Sequence, residues 1–406
     1  MGNFSQGLRL LNLLRFSVGR TKDFALMFGV DRIKILCVYH PNHLNFSHNG
    51  MLACDKIDPL LDCLDDDIFS VVRIVLPPSK VLMETRALEV NRFFLKSILT
   101  MGLKRIFLNH LKKLGYYEYS FECLLKKMKP DLVVGIGSNV DLLKPLGRSN
   151  IPYLEVQHGW LSPDYIENFY NGAKRPNYFL CWNEYYSKLI ANKGIPSMVI
   201  GHPNLEHYFS LERKLHDKIL IPLTHHLENS IDPFGMLGED VAQMLRVILT
   251  KVDAKTVIFR LHPGIFNDFN YQEIKSWINT EFPGAGVADP RQVPLSNSLA
   301  DARVIFGTAS SISIEAARLG ISSFLFPLDN ANSYYEFLAD ETVDYIDGGL
   351  IETGIVNLIN TSKSKNFETT AERVCMSQIE NYASASPTPD VRDIEKFLLH
   401  ILRTRN

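Results

Sequence analysis

The sequence predicts an α/β protein built from two doubly wound units, each with a mostly parallel sheet. Short β-rich runs alternate with helical patterns in the first half, and the same alternation restarts near residue 218. A polar segment at 206–217 separates the two halves, and 406 residues exceed one usual domain of about 150. We therefore expect domains at 1–205 and 206–386, followed by a helix at 387–406.

The first half contains six short apolar runs that predict strands, and the run at 33–39 is rich in β-branched residues, which is typical of a strand buried in a parallel sheet. These runs lie at 33–39, 69–76, 131–136, 152–156, 178–182 and 198–200. Residues 84–128 follow a helical period that ends before Pro130.

The second half repeats this order of strands and helices. Strands are expected at 218–223, 256–261, 304–306 and 323–326, and helices at 238–252, 271–282 and 311–319. Residues 387–390 read Pro-Thr-Pro-Asp and would cap the last helix. In such folds ligands bind beyond the carboxyl ends of the strands, so we expect the functional residues there.

Composition excludes several classes of protein. Lys plus Arg total 43 against 45 for Asp plus Glu, which argues against a dedicated nucleic-acid-binding protein. The six cysteines form no C-x-x-C pair, so reduced thiols in a cytoplasmic protein are favoured over a disulfide framework or zinc site. No metal or cofactor site is predicted, and no apolar run approaches the ~20 residues of a membrane span.

Two basic stretches bear on membrane binding. Residues 7–20 combine leucines with Arg9 and Arg15, and residues 92–113 combine apolar residues with Lys96 and Lys104 and no acid. Each stretch fits either an ordinary helix face or docking on an anionic membrane surface.

His158 is the sharpest catalytic candidate. It follows the strand at 152–156 and precedes Gly159, which lets a ligand approach the backbone. A histidine there can accept a proton from a hydroxyl near neutral pH, or it can bond a loop carbonyl in a structural role. Glu155 lies within the strand and faces the side opposite to His158, and Asp232 follows the strand at 218–223 together with His225, His226 and Glu228.

A second group of polar residues follows the strands of the second half. Its members, which would bind an anion such as a nucleotide phosphate, are Arg260, His262, Thr308, Ser310, Ser311 and Glu315. A helix N-terminus entered through Gly, Ser and Thr offers free N–H groups to an anion. The same residues also fit a plain N-cap. The His-Pro pair occurs three times, but only His262 follows a strand of the second half and has an arginine two residues before it.

Several segments resemble bacterial GT-B glycosyltransferases of surface-polysaccharide synthesis. These segments, which fall within residues 130–325, are EVQHGWLSP, CWNEYYSKLI, VIGHPN, VIFRLHPG and GTASSISIEAARLG. The His-Pro and Ser-Ser pairs are similar to those of bacterial sialyl-, polysialyl- and Kdo transferases, where they hold the CMP part of the donor. The Gln-His-Gly segment is similar to that of teichoic-acid polymerases that use CDP-glycerol.

This resemblance implies a GT-B fold, with two Rossmann-like domains facing a cleft, and metal-independent sugar transfer. The donor would be a CMP-linked acidic sugar such as Kdo or sialic acid, and the acceptor a glycan or glycolipid of capsule or lipopolysaccharide at the inner membrane face. The second domain would bind the nucleotide, with Glu315 as a ribose ligand. The first domain would bring the acceptor, with His158 or Glu155 as base.

Some questions stay open at this stage. The acidic motif of sialyl and Kdo enzymes reads Gln157-His158-Gly159 here, so the family's catalytic base has no counterpart to carry over. A retaining mechanism would make Glu155 or Asp232 the nucleophile. A nucleotide-sugar 2-epimerase and a non-catalytic polysaccharide-assembly subunit are the alternative functions.

Overall fold

The computed structural model divides the chain into two compact units. The first unit comprises residues 1–203 and 387–406, and the second comprises residues 204–386. The last helix, expected as a separate segment, is thus grouped with the first unit. The structure describes residues 28, 31–40, 43–44, 46–48, 51–76, 85, 87–107, 115–137, 140–159, 161, 166–167, 169–170, 175–203, 218–223, 246, 249–250, 252–261, 271–290, 292–307, 312, 315–316, 319, 321–325, 344–345 and 390–404.

The first unit is built on a seven-stranded sheet with the order β5-β4-β1-β6-β7-β8-β9. All neighbouring strands in this sheet are parallel, and β2 and β3 form a separate antiparallel pair. The strands are β1 (Ile33–Tyr39), β2 (Phe46–His48), β3 (Met51–Ala53), β4 (Phe69–Val75), β5 (Leu88–Glu89), β6 (Leu132–Gly135), β7 (Tyr153–Val156), β8 (Tyr178–Cys181) and β9 (Ser197–Val199). Because they are parallel, their carboxyl ends meet at one edge of the sheet.

Both faces of this sheet are buried. The helices are α1 (Asp58–Leu61), α2 (Asn91–Phe107), α3 (Tyr116–Met128), α4 (Val140–Arg148) and α5 (Glu184–Ala191). Leu36 and Val38 of β1 pack in the core with residues of α2, α3 and α4. Ile35 and Cys37 belong to the core on the other face, as expected for side chains that alternate along a strand.

The prediction of continuous helical character over 84–128 is wrong at its start and in its middle. Leu88 pairs with Ile74 as the parallel edge strand β5. The helical part then forms two separate helices, α2 and α3, with Gly115 as the N-cap of α3. Two strand residues are too few to show a period of their own, so pairing with β4 decides their conformation.

The second unit contains a six-stranded parallel sheet with the order β12-β11-β10-β13-β14-β15. Its strands are β10 (Lys218–Pro222), β11 (Val257–Arg260), β12 (Gly286–Ala288), β13 (Ala302–Gly307), β14 (Ser322–Leu325) and β15 (Asp344–Tyr345), and its helices are α6 (Tyr271–Glu281) and α7 (Leu295–Ala300). Leu220 and Ile305 of the central strands pack with Leu299 and Ala316. The predicted helix at 238–252 lies almost wholly outside the described residues.

The last helix, α8 (Val391–Arg403), packs on the first unit through one apolar face. Ile394, Leu398 and Ile401 are buried in the core that contains β1. The ring of Phe397 contacts Tyr178 of β8 edge to face, with centroids 6.1 Å apart. Their spacing of three and four residues places these side chains on one face of the helix. This apolar face is buried against the core of the first unit.

Candidate functional site

Several polar and aromatic side chains follow the strands of the first unit at the carboxyl edge of its sheet. They are His40 after β1, Gln157 and His158 after β7, Trp182 after β8 and His202 after β9. These strands are widely spaced in the chain, and the parallel sheet brings their ends together. His158, which the sequence predicts to follow a strand, lies directly after the carboxyl end of β7.

His158 has an exposed side chain. Within the described part of the chain, its imidazole makes no hydrogen bond. Its ring centroid lies 6.1 Å from that of His43, which in turn lies 5.9 Å from that of His40. No carbonyl of the described residues therefore bonds the His158 imidazole as a structural role would require, and the side chain is exposed.

The backbone around His158 is held by its neighbour Gln157. The Gln157 side chain is fully buried. Its Nε2 donates to the carbonyl oxygen of Gly159 at 2.9 Å, and its Oε1 accepts from the backbone N–H of Trp182 at 2.8 Å. One amide side chain thus joins the ends of β7 and β8 and fixes the turn that carries His158.

The surroundings of His158 favour its neutral form. Enclosure by the protein lowers the pKa of His158 from 6.5 to about 4, and the positive charge of Lys56 contributes to the same shift. Because part of the ring faces solvent, water weakens both effects. A neutral imidazole at pH 7 can accept a proton.

Lys56 is the functional candidate that sequence reasoning missed. Its ammonium Nζ lies 2.9 Å from Asp55 Oδ2, 2.8 Å from His202 Nε2 and 5.3 Å from the centroid of the Trp182 ring. The residue is only 5% exposed, which is rare for a lysine. No motif surrounds Lys56 in the sequence, and its partner His202 is 146 residues away, so only the fold reveals the pair.

A buried network fixes the segment that carries Lys56. The Asp58 carboxylate accepts from Tyr39 Oη at 2.5 Å, from Arg73 Nε at 2.6 Å and from the backbone N–H of Cys54 at 2.6 Å. Arg73 also donates to Asp62 at 2.6 Å. Residues 54–58 are therefore tied to β1 and β4 at the same edge of the sheet.

Glu155, the competing base, is placed differently. It is 1% exposed, and its Oε1 accepts from the hydroxyl of Tyr170 at 2.6 Å. It shares its side of the strand with the buried Gln157, whereas His158 is exposed, in agreement with strand alternation. Burial makes Glu155 a poorer candidate than His158 for contact with an acceptor.

In the second unit, two predicted donor-site residues are described and both are buried. Arg260, at the carboxyl end of β11, donates from Nη1 to the carbonyl oxygen of Val293 at 2.9 Å and to Ser298 Oγ at 2.7 Å. Glu315 is 2% exposed. Arg260 thus joins β11 to α7, a structural contribution that the sequence did not indicate.

The other predicted site residues, Asp232, His262, Thr308, Ser310 and Ser311, lie outside the described residues. Among the residues that the structure describes, no group of three or more His, Cys, Asp or Glu side chains could hold a metal ion.

Solved structures with the same architecture establish the fold class. The UDP-GlcNAc 2-epimerase from Neisseria meningitidis, solved bound to UDP-GlcNAc, is 15% identical, with a TM-score of 0.58, and the match covers 90% of this chain and 100% of that one. The wall teichoic acid polymerase TagF is 12% identical, with a TM-score of 0.57, and the match covers 100% of this chain and 96% of that one. MnaA from S. aureus, in complex with UDP, is 13% identical, with a TM-score of 0.56 and coverage of 91% and 97%.

The protein has the GT-B fold. The predicted class of two doubly wound α/β units is confirmed. No protein-family model matches the sequence, and no curated protein matches it. At these identities the likeness establishes the GT-B architecture, and the function has to be argued from the site.

Proposed function

We propose that the protein is a GT-B glycosyltransferase of bacterial surface-polysaccharide synthesis that uses a nucleotide-activated sugar. The observation that carries this proposal is His158, whose exposed imidazole lies at the carboxyl edge of the first sheet and makes no hydrogen bond with the residues that the structure describes. In its neutral form it takes the proton of an acceptor hydroxyl. The hydroxyl oxygen then bonds to the anomeric carbon, whose bond to the donor phosphate breaks, and the nucleotide leaves with that electron pair.

The proposed donor site is in the second unit. We place in it Arg260, His262, Thr308, Ser310, Ser311 and Glu315, and the helix expected from the sequence at 311–319 would offer N–H groups to the phosphate. The complexes of similar structures with UDP-GlcNAc and UDP support a nucleotide-sugar donor. The resemblance of the His-Pro and Ser-Ser pairs favours a CMP-linked acidic sugar such as Kdo or sialic acid.

A thermal-shift panel of CMP, CDP, UDP and GDP tests the donor proposal. A nucleotide that binds only the folded protein stabilises it by about 2.7 kcal/mol at a hundred times its Kd. We expect CMP to raise the melting temperature most, and the His262→Ala variant to lose roughly ten- to a hundredfold in CMP affinity. A shift with UDP alone would exclude the CMP donor, and no shift with any nucleotide would contradict the donor site.

A nucleotide-sugar 2-epimerase is the second candidate function. It is favoured by the Neisseria meningitidis epimerase, whose TM-score of 0.58 is as high as that of TagF at 0.57. The match to TagF extends over all of this chain, against 90% for the epimerase. An epimerase has no acceptor hydroxyl to deprotonate, but it must remove the proton from carbon 2 of the sugar, so an accessible base at His158 fits either reaction.

The acceptor is proposed to be a glycan or glycolipid at the cytoplasmic face of the inner membrane, with α2 docking on anionic lipid. Arg92, Lys96 and Leu99 lie at helical spacing on this helix, and the Leu99 side chain is 60% exposed. Among the described helices, none is long and apolar enough to cross a membrane. Basic residues beside an exposed leucine are suited to the surface of an anionic bilayer.

Liposome flotation tests this docking. Recovery should be higher with cardiolipin-containing vesicles than with neutral ones and should fall with salt. The variant Lys96→Glu should bind at least about fivefold more weakly, since one basic residue contributes about 1 kcal/mol. The variant Lys188→Glu changes an exposed lysine of α5 and is the matched control. Equal recovery from neutral and anionic vesicles would contradict membrane docking.

A further inference from the structure

Two hydrogen bonds after β1 hold a second imidazole, that of His43, at the carboxyl edge of the first sheet. The backbone N–H of His43 donates to the carbonyl oxygen of His40 at 2.9 Å, and the backbone N–H of His40 donates to Nδ1 of the His43 ring at 3.3 Å. The next residue, Leu44, is buried in the core that contains Ile35 and Tyr39 of β1. The His43 ring is therefore attached to β1 both through His40 and through the core.

The contact with His40 also decides the protonation of His43. A backbone N–H can only donate, so Nδ1 of His43 is the acceptor and carries no proton. The proton of the ring is then on Nε2, and the imidazole is neutral. A neutral His43 places no positive charge beside His158 when His158 takes up a proton.

The ring of His158 needs a contact of its own, because the bonds of Gln157 fix only the backbone around it. A general base has to lie within hydrogen-bond reach of the proton that it takes, and free rotation of the side chain would move the imidazole out of reach. The His43 ring packs beside that of His158, with centroids 6.1 Å apart and planes inclined by 37°. This separation lies within the range of about 4.5–7 Å over which ring pairs attract.

We propose that His43 is a positioning residue for His158: its ring packs against the imidazole and limits the rotation of that side chain. Its part in catalysis rests on the transferase function proposed above. The sheet order β1-β6-β7 brings the ends of β1 and β7 to the same edge, so two distant segments of the chain supply the base and the ring beside it. A base held in one orientation does not have to be oriented again in each turnover.

Two substitutions separate the ring of His43 from its hydrogen bond to His40. His43→Asn keeps an acceptor for the His40 N–H, because the amide oxygen can replace Nδ1, but it removes the ring. His43→Phe keeps a ring and removes the acceptor. We expect His43→Asn to lower kcat roughly ten- to a hundredfold with unchanged nucleotide affinity, and His43→Phe to retain most of the rate. An active Asn variant and an inactive Phe variant would overturn the inference.

A double variant tests whether His43 acts through His158. In a His158→Ala background, His43→Asn should cause no further loss of rate, because residues that act as a unit are not additive. A full further loss would show an independent effect and contradict the positioning role. His400→Asn makes the same change at an exposed histidine of α8 and should leave transfer unchanged.

NMR relaxation of ¹³C-labelled histidine rings tests the contact without relying on activity. The His158 signal is assigned by its loss in His158→Gln. Its ring should be ordered on the ps–ns timescale in the wild type and in His43→Phe, and mobile in His43→Asn. Equal mobility in all three proteins would overturn the inference. If no transfer is found but the mobility changes as expected, the proposed function fails and the contact between the two rings stands.

Discussion

The variant His158→Ala should lower the rate of sugar transfer by about 10²–10⁴ and leave donor affinity nearly unchanged. In the proposed mechanism the His158 imidazole takes the proton of the acceptor hydroxyl, whereas the proposed nucleotide contacts belong to the second unit. Glu155→Gln should retain most activity, because an amide oxygen can still accept from Tyr170 Oη. Steady-state kinetics with varied donor and acceptor, together with calorimetry of nucleotide binding, measure both effects.

The matched control is His400→Ala, which removes an exposed imidazole from α8, far along the chain from the candidate base. Wild-type activity should persist well below pH 6.5, because the lowered pKa of His158 keeps its proton-accepting form present until the pH falls through the shifted value. If His158→Ala is active and Glu155→Gln is dead, a carboxylate mechanism replaces the histidine base. A glycosyl adduct on Glu155 or Asp232, detected by intact-protein mass spectrometry, would then indicate retention of configuration.

The variant Asp58→Ala should destabilise the first unit by about 3–5 kcal/mol. Its carboxylate accepts from Tyr39, Arg73 and Cys54, and its removal leaves the buried Arg73 guanidinium with less compensation. The segment that carries Lys56 would also lose its attachment to β1 and β4. We expect a corresponding loss in the free energy of unfolding of this unit.

Denaturant unfolding in a Trp277→Phe background measures this loss, because the remaining tryptophans, Trp160 and Trp182, belong to the first unit. Asp393→Ala is the matched control, since Asp393 forms an exposed i,i+3 pair with Lys396. Removing that pair should cost at most about 1 kcal/mol. An effect of Asp58→Ala as small as that of the control would show that the buried network contributes little to the fold.

Ten of the thirteen strands that the structure describes in the two sheets were predicted from local sequence, whereas β5, β12 and β15 were not expected. The run IKILCVY forms β1 over the residues expected, since β-branched side chains suit a strand buried on both faces. The edge strand β5 was missed because its two residues acquire their conformation from pairing with β4. The helix α8 was predicted, but its amphipathic pattern does not indicate which hydrophobic core its apolar face packs against.

Of the candidate-site residues, the sequence predicted only those that lie at or just after the end of a strand. His158 and Arg260 could be located in this way, because parallel strands bring their carboxyl ends to one edge. The burial of Arg260 and Glu155 could not be read from their positions, since it depends on contacts with Val293, Ser298 and Tyr170. Lys56 was missed because its charge is held by residues that only the folded chain brings together.

Product analysis of a donor incubation, with and without acceptor, tests the transferase account most directly. The purified protein is incubated with CMP-Kdo, CMP-sialic acid or UDP-GlcNAc, and the sugar and nucleotide are followed by NMR. The account predicts slow release of nucleotide without acceptor, strong acceleration when a surface-polysaccharide acceptor is added, and no acceleration in His158→Ala. Conversion of the nucleotide sugar to its 2-epimer without acceptor, or no reaction with any donor, would contradict it.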